Sequence, residues 1–202
     1  MKKQATLTVA MLGIFSALIL LMTFTPIGYL VIPGIGVSAT LIHIPVIVGA
    51  VVLGPKLGTA LGLVWGVTCV VRAAVMPQSV LDPLFVNPLV SILPRILVGL
   101  FAGLVFVGLK KLMKEKKGST VLPAAIAGGV GALTNTIFVL GILFAIYSKH
   151  EAVAGMLTGT NSVAAIIGTI LSVNGAVEIF SAVLLTPPIA KALLTVKKRM
   201  AR

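Results

Sequence analysis

The chain reads as an all-α, polytopic membrane protein of six transmembrane helices with both termini in the cytoplasm. Three observations predict this. First, 58% of the 202 residues are hydrophobic and the mean hydropathy is +1.18, far above that of water-soluble domains. Second, the apolar residues form continuous runs, not an alternation, so each run closes its own backbone hydrogen bonds as a helix and a β-barrel is disfavoured. Third, the 16 Lys and Arg are segregated. All but Arg72, Arg95 and Lys149 lie at the chain ends or in the connections around Lys56 and Lys110–Lys117, as the positive-inside rule requires of cytoplasmic segments. A nucleic-acid-binding protein would spread its +12 charge over a polar folded surface, so no nucleic acid partner is expected.

The elements follow in order. Ala5–Phe24 is long enough for a full span. Lys2 and Lys3 ahead of it imitate a signal peptide, but no small-x-small cleavage site closes the run, so it reads as a retained first helix. Thr25–Thr40 is rich in Gly and Pro and reads as an ordered loop or extended segment. A second, short span runs from Val37 to Leu53 and contains Pro45; Gly54-Pro55-Lys56 is a tight turn. The third span is Leu57–Val75, followed by a Pro-punctuated loop, Met76–Pro88. The fourth is Leu89–Leu109, with Pro94 in its first turns, where proline costs least. Lys110–Gly118 is a solvated connection, Val121–Tyr147 the fifth span and Ser148–Asn161 a loop. The sixth span, Ser162–Thr186, is stopped by Pro187-Pro188 and followed by the basic tail KKRMAR. If the second span were re-entrant, Lys2–Lys3 and the Lys110–Lys117 cluster would lie on opposite sides; six spans keep both inside. Residues 1–202 form one transmembrane domain without an internal repeat. Gly13-xxx-Ala17, Gly58-xxx-Gly62, Gly62-xxx-Gly66, Gly99-xxx-Gly103 and Gly128-xxx-Ala132 are candidate close contacts between helices.

No enzyme is expected. Gly49–Lys56 echoes a phosphate loop, but Pro55 separates Gly54 from Lys56 and Leu57 replaces the hydroxyl residue. His43 and His150 are far apart and Cys69 is the lone cysteine, so neither a metal site nor a disulfide is expected. Polar residues inside the spans are few: Arg72, Arg95, Asn135, Asn174 and Glu178, with His43 and Trp65 beside them. Such residues mark ligand pathways. Asn174 and Glu178 are four apart and share a helix face. In the six-span topology these groups fall in the middle and outer parts of the helices and can converge on one cavity open to the outside. Structural readings stand beside this one. Arg72 can snorkel to headgroups, Arg95 and Glu178 can form a purely structural pair, Asn135 can bond between helices, and Trp65 and His43 can be packing residues. The Lys110–Lys117 cluster can touch anionic lipid.

The stretch TPIGYLVIPGIGVSATLIHIPVIVGAVVLGPKLGTALGLVWG, with LPRILVGLFAGLVF after it, resembles the substrate-binding S component of energy-coupling factor (ECF) vitamin transporters. The resemblance covers nearly the whole chain, is most specific over Leu41–Gly58, and is nearest to the pantothenate-type branch. It implies a module of the bacterial plasma membrane that captures a vitamin from outside. It also implies partners: a transmembrane coupling subunit and two cytoplasmic ATPase subunits that use ATP, this chain binding no cofactor. The family's docking face on the first helix maps here to Thr6, Ala10, Gly13 and Ala17. For pantothenate, Arg95 is expected to take the carboxylate, Asn135 and Asn174 the amide and hydroxyls, and Trp65 the dimethyl group. Glu178 would accept from a hydroxyl or orient Arg95, with His43 and Arg72 nearby. A carboxylate in the site also suits a cationic ligand, which leaves pyridoxine or a thiamine precursor open, as well as folate. Two further classes remain: an autonomous secondary transporter with Glu178 as proton relay, and a lipid-modifying membrane enzyme.

Overall fold

The computed structural model describes residues 2–31, 38–77, 81–113, 120–147 and 174–200. Helix α1, Lys2–Phe24, leads through a 3-10 turn, Pro26–Gly28, into a two-stranded antiparallel hairpin of β1 (Tyr29–Val31) and β2 (Ser38–Thr40). Tyr29 pairs with Thr40, Leu30 with Ala39 and Val31 with Ser38. Then come α2 (His43–Leu53), α3 (Pro55–Val75), a 3-10 turn at Asp82–Val86, α4 (Pro88–Leu112), α5 (Val121–Tyr147) and α6 (Ala176–Met200). Five of the helices are long and apolar enough to cross a membrane. This is an all-α membrane protein with, among the described residues, one small hairpin.

The expected second span is not a single helix. α2 has 11 residues, so at ~1.5 Å per residue it reaches ~16 Å, about half of a bilayer core. The chain ahead of it is strand, because Ser38–Thr40 pairs with β1. The sixth span also differs. Pro187-Pro188 does not stop it; α6 continues to Met200 and takes in Lys197–Met200 of the expected tail. Proline's fixed φ is compatible with a helix, and only two N–H donors are lost. In apolar surroundings an unwound backbone would lose far more. α4 likewise runs on through Lys110 and Lys111 to Leu112. The rest of the Lys110–Gly118 connection, the loop Ser148–Asn161 and the expected start of the sixth span at Ser162 lie outside the described residues.

Glycines set how closely α3 and α4 pack. A side chain at Gly62 would run into the Arg95 carbonyl, and one at Gly66 would sit 2.6 Å from the Ile92 Cα. Gly58 and Gly99 meet backbone to backbone, and a side chain at Gly103 would lie 2.6 Å from the Pro55 Cα. α5 packs on α6 the same way, with Gly128 against the Ala182 carbonyl. Four of the five expected small-residue pairs therefore lie at helix contacts, and the fifth does not, because nothing approaches within 4 Å of a Cβ at Gly13. α1 joins the bundle through Met11, Phe15 and Ile19 instead.

These contacts also orient the bundle. Gly103 near the end of α4 meets Pro55 at the start of α3. Lys197 Nζ on α6 donates to the Val52 carbonyl in the last turn of α2, 2.7 Å away, where the chain turns at Gly54 with φ 97°. Thr23 near the end of α1 lies 3.4 Å from Thr68 in the second half of α3, and Phe15, earlier in α1, lies beside Gly49 of α2 one turn before the Val52 carbonyl, so α1 starts at the end where α3 starts. The start of α1, Lys56, Lys110–Lys111 and Lys197–Arg199 consequently share one end of the molecule. The hairpin, the Asp82–Val86 turn, Arg72 and Arg95 lie towards the other.

Candidate functional site

Arg95 is the centre of the second end. Its helix approaches α3 closely only because Gly62 lies under its backbone, and this brings Trp65 beside the guanidinium. Arg95 is 6% exposed. Its Cζ lies 5.2 Å from the Trp65 ring and 5.6 Å from the Phe85 ring, both cation–π distances. One terminal nitrogen donates to the Val90 carbonyl at 2.7 Å, while Nε has no hydrogen-bond partner. Among the described residues no carboxylate is ion-paired with Arg95. Phe85 is held in place by its own turn: Ser91 donates to the Phe85 carbonyl, and Leu84 packs with Val90, Leu143 and Phe144 in a second apolar core. Asn87 joins the turn to both neighbouring helices. Its Oδ1 caps α4 at the Leu89 N–H, and its Nδ2 donates to the Tyr147 hydroxyl at 3.1 Å.

Arg72 stands further out, its Cζ 4.5 Å over the Tyr29 ring, so the end of α3 is tied to the hairpin. Asn135 and Asn174 are both 5% exposed. Gly128 faces Ala182 and Thr136 bonds Glu178, an antiparallel register that sets the two asparagines within about one helical turn of each other. Between α4 and α5, Gly131 faces Ala102 and Asn87 bonds Tyr147. That register puts Asn135 about one helical turn from the level of Arg95, towards the basic end. The Oδ1 atoms of both asparagines and Nε1 of the fully buried Trp65 have no hydrogen-bond partner. Buried polar atoms are nearly always paired in folded proteins. Arg95 Nε and Trp65 Nε1 are thus two open donors and the asparagine Oδ1 atoms two open acceptors, beside His43 Nδ1 and Thr186 Oγ1, which also lack a partner.

Glu178 is placed differently from its expected partner Arg95. Its Oε1 accepts the Thr40 N–H at 2.9 Å, and its Oε2 accepts from the Thr136 hydroxyl at 3.1 Å. Its main-chain carbonyl takes Ser181 at 2.9 Å and lies 3.3 Å from Nε2 of the buried His43, the donor in the Nε2–H tautomer. His43 thus fixes the start of α2 against α6. Of the seven expected binding residues, Arg95 and Trp65 are in contact, Asn135 and Asn174 lie within about one helical turn of each other, Arg72 is above them, and His43 and Glu178 join one another. Phe85, Tyr29, Thr40 and Thr136 were not among the expected residues. A Phe in a Pro-rich loop and Thr in apolar runs carry no signal of their own in a sequence. On α1, Thr6, Ala10, Gly13 and Ala17 all lie exposed on one face. Among the described residues no group of His, Cys, Asp and Glu could hold a metal ion.

The sequence model described as "ECF transporter, substrate-specific component" matches residues 7–190. Two curated relatives align over nearly their full lengths. A protein of Lactococcus lactis subsp. cremoris named pantothenic acid transporter PanT is 33% identical over 208 residues, covering 96% of each chain. A protein of Leuconostoc mesenteroides subsp. mesenteroides named pantothenate transporter PanT is 30% identical over 189 residues, covering 92% of this chain and 91% of the relative. A transporter's substrate-specific component is not an enzyme. With its apolar helices and a match that spans almost all of them, the chain belongs to the substrate-specific components of ECF transporters and is a multi-pass protein of the bacterial plasma membrane.

Proposed function

We propose that this chain is the pantothenate-capturing S component of an ATP-driven ECF importer. The observation that carries the reading is Arg95: a buried guanidinium held between two aromatic rings, with no protein carboxylate to neutralise it among the described residues. A buried charge needs compensation, and a ligand carboxylate can supply it in bidentate form. Pantothenate offers that carboxylate, together with an amide and two hydroxyls that can donate to Asn135 and Asn174 Oδ1. Trp65 walls the apolar dimethyl part. Arg72 and the hairpin close the outer side, and His43 holds the wall of α2 behind them. Glu178 weighs against a cationic vitamin and against a proton relay, because both its oxygens are engaged by Thr40 and Thr136. The names of the two relatives support the same vitamin.

The membrane arrangement in this reading has six crossings and both ends in the cytoplasm. The strand Ser38–Thr40 adds ~10 Å at ~3.3 Å per residue to the ~16 Å of α2, which with the Leu41–Ile42 turn between them covers most of a bilayer core. The extended half of that crossing is tolerable because protein, not lipid, satisfies its backbone: β1 pairs with it, and Glu178 takes the Thr40 N–H. The basic end faces the cytoplasm. There the coupling subunit and two ATPases act, the coupling subunit docking along Thr6, Ala10, Gly13 and Ala17. The chain itself binds no cofactor.

Calorimetry on purified protein tests the assignment, with pantothenate, folate, pyridoxine and a thiamine precursor as ligands. Tight binding of pantothenate alone, abolished in Arg95→Ala, is the expected result. Undiminished binding in Arg95→Ala, or preference for a cationic vitamin, rejects it. Cys69 provides a second readout because it lies within electrostatic reach of Arg95 and Arg72: bound pantothenate should slow its alkylation by a small maleimide.

A further inference from the structure

Glu178 is a buried acid whose side chain spends both oxygens on the protein, and one of its donors is a main-chain N–H 138 positions away. In the hairpin, Leu41 N–H points inward to the Gly28 carbonyl, 2.8 Å away. Thr40 N–H therefore points outward from the ladder, where an edge amide would otherwise be unsatisfied. With three residues per strand, the hairpin is too short to be stable alone. Among the described residues, the Thr40–Glu178 contact is the side-chain hydrogen bond that joins the hairpin to α6. The cross-strand partner of Thr40 is Tyr29, the residue beneath Arg72. Holding Thr40 therefore holds Tyr29 at the mouth of the Arg95 cluster.

We propose that Glu178 is a positioning residue: its carboxylate clips the β1–β2 hairpin to α5 and α6, and the clip sets how long the ligand stays bound. This rests on the vitamin-site reading of the Arg95 cluster. Because the contacts are hydrogen bonds to a main-chain amide and a hydroxyl, glutamine can replace the acid. Its Oε1 still accepts from Thr40. Its NH2 donates to Thr136 Oγ1, whose own proton then goes to the Ala132 carbonyl, 3.2 Å away. Leucine offers neither contact, and Thr136→Val removes one of the two.

The test combines two measurements on full-length protein in nanodiscs. Hydrogen exchange of the amides of residues 38–42, without ligand, reports the clip. The dissociation rate of pantothenate, followed by the fluorescence of Trp65, the only tryptophan, reports its effect. Glu178→Gln should stay within about twofold of wild type in both. Glu178→Leu should exchange and release about tenfold faster or more, the consequence of leaving the Thr40 N–H without its acceptor, with the association rate changed much less. Thr136→Val should fall between them. If Glu178→Gln releases pantothenate as fast as Glu178→Leu while residues 38–42 stay protected, the carboxylate acts on the ligand itself and the clip is wrong. Unchanged exchange in Glu178→Leu also overturns it. Should Glu178→Leu fail to fold, Thr136→Val against Glu178→Gln decides by the same criteria. If wild type binds no pantothenate, the vitamin reading falls, while the exchange comparison still decides whether Glu178 holds the hairpin.

Discussion

Arg95 and Trp65 illustrate how close helix packing buries a charge against an aromatic ring. The guanidinium keeps one hydrogen bond, to Val90, and two aromatic faces, leaving Nε for a guest. An ammonium in the same place would keep the charge but lose the planar fork and most of the stacking. Arg95→Lys should therefore weaken pantothenate binding by about 1.5–3 kcal/mol, roughly ten- to a hundredfold, measured by calorimetry. Trp65→Phe keeps an apolar wall and removes only the indole N–H, so its loss should be smaller, about 1 kcal/mol. The polar residues of the site were legible in the sequence because charges and amides are scarce in apolar runs. The pairings were not. Glu178 reads as a natural counter-ion for Arg95, but its actual donors are a backbone amide and a threonine hydroxyl, groups that no composition singles out.

At the scale of elements, the long helices were legible because length and hydropathy define them, and the glycine pairs of α3 and α4 because small residues are what close packing needs. Two boundaries were not. An apolar segment of period-free sequence reads the same as strand or helix, so the boundary between β2 and α2 was blurred: Thr25–Thr40 reads as loop or extended segment while the expected span begins already at Val37. The proline pair in α6 reads as a stop under rules learned in water, where unwound backbone finds new partners; here α6 runs on, and Lys197 reaches Val52 from beyond it. The packing itself makes two predictions. Gly62→Leu forces a side chain into the Arg95 carbonyl and should destabilise the fold by about 1–3 kcal/mol or more, seen as a lower melting temperature in detergent. Gly13→Phe places a ring where nothing lies within 4 Å. It should leave melting temperature and pantothenate affinity unchanged but abolish co-purification with the coupling subunit.

The whole molecule is polarised. Lys56, Lys110, Lys111 and Lys197–Arg199 collect at one end by specific contacts, Gly103 on Pro55 and Lys197 on Val52, while Arg72, Arg95 and the other buried polar groups lie towards the other. In a Cys69→Ala background, Lys56→Cys and Lys110→Cys should react with a membrane-impermeant maleimide only after the cells are opened. Val86→Cys, on the exposed side of the Asp82–Val86 turn, should react in intact cells. Labelling of both classes from one side would refute the six-crossing arrangement.

The glycine seam between α3 and α4 also bears on how the protein would behave under mutation. Several of its positions admit no larger side chain, whereas residues lining a ligand cavity usually tolerate a graded series of replacements. A genetic screen for lost vitamin uptake would therefore recover mainly variants at Gly58, Gly62, Gly66, Gly99 and Gly103, none of which need ever meet the cargo. Phenotype alone would draw the recognition map around the wrong residues, and only assays normalised to the amount of correctly inserted protein would restore it.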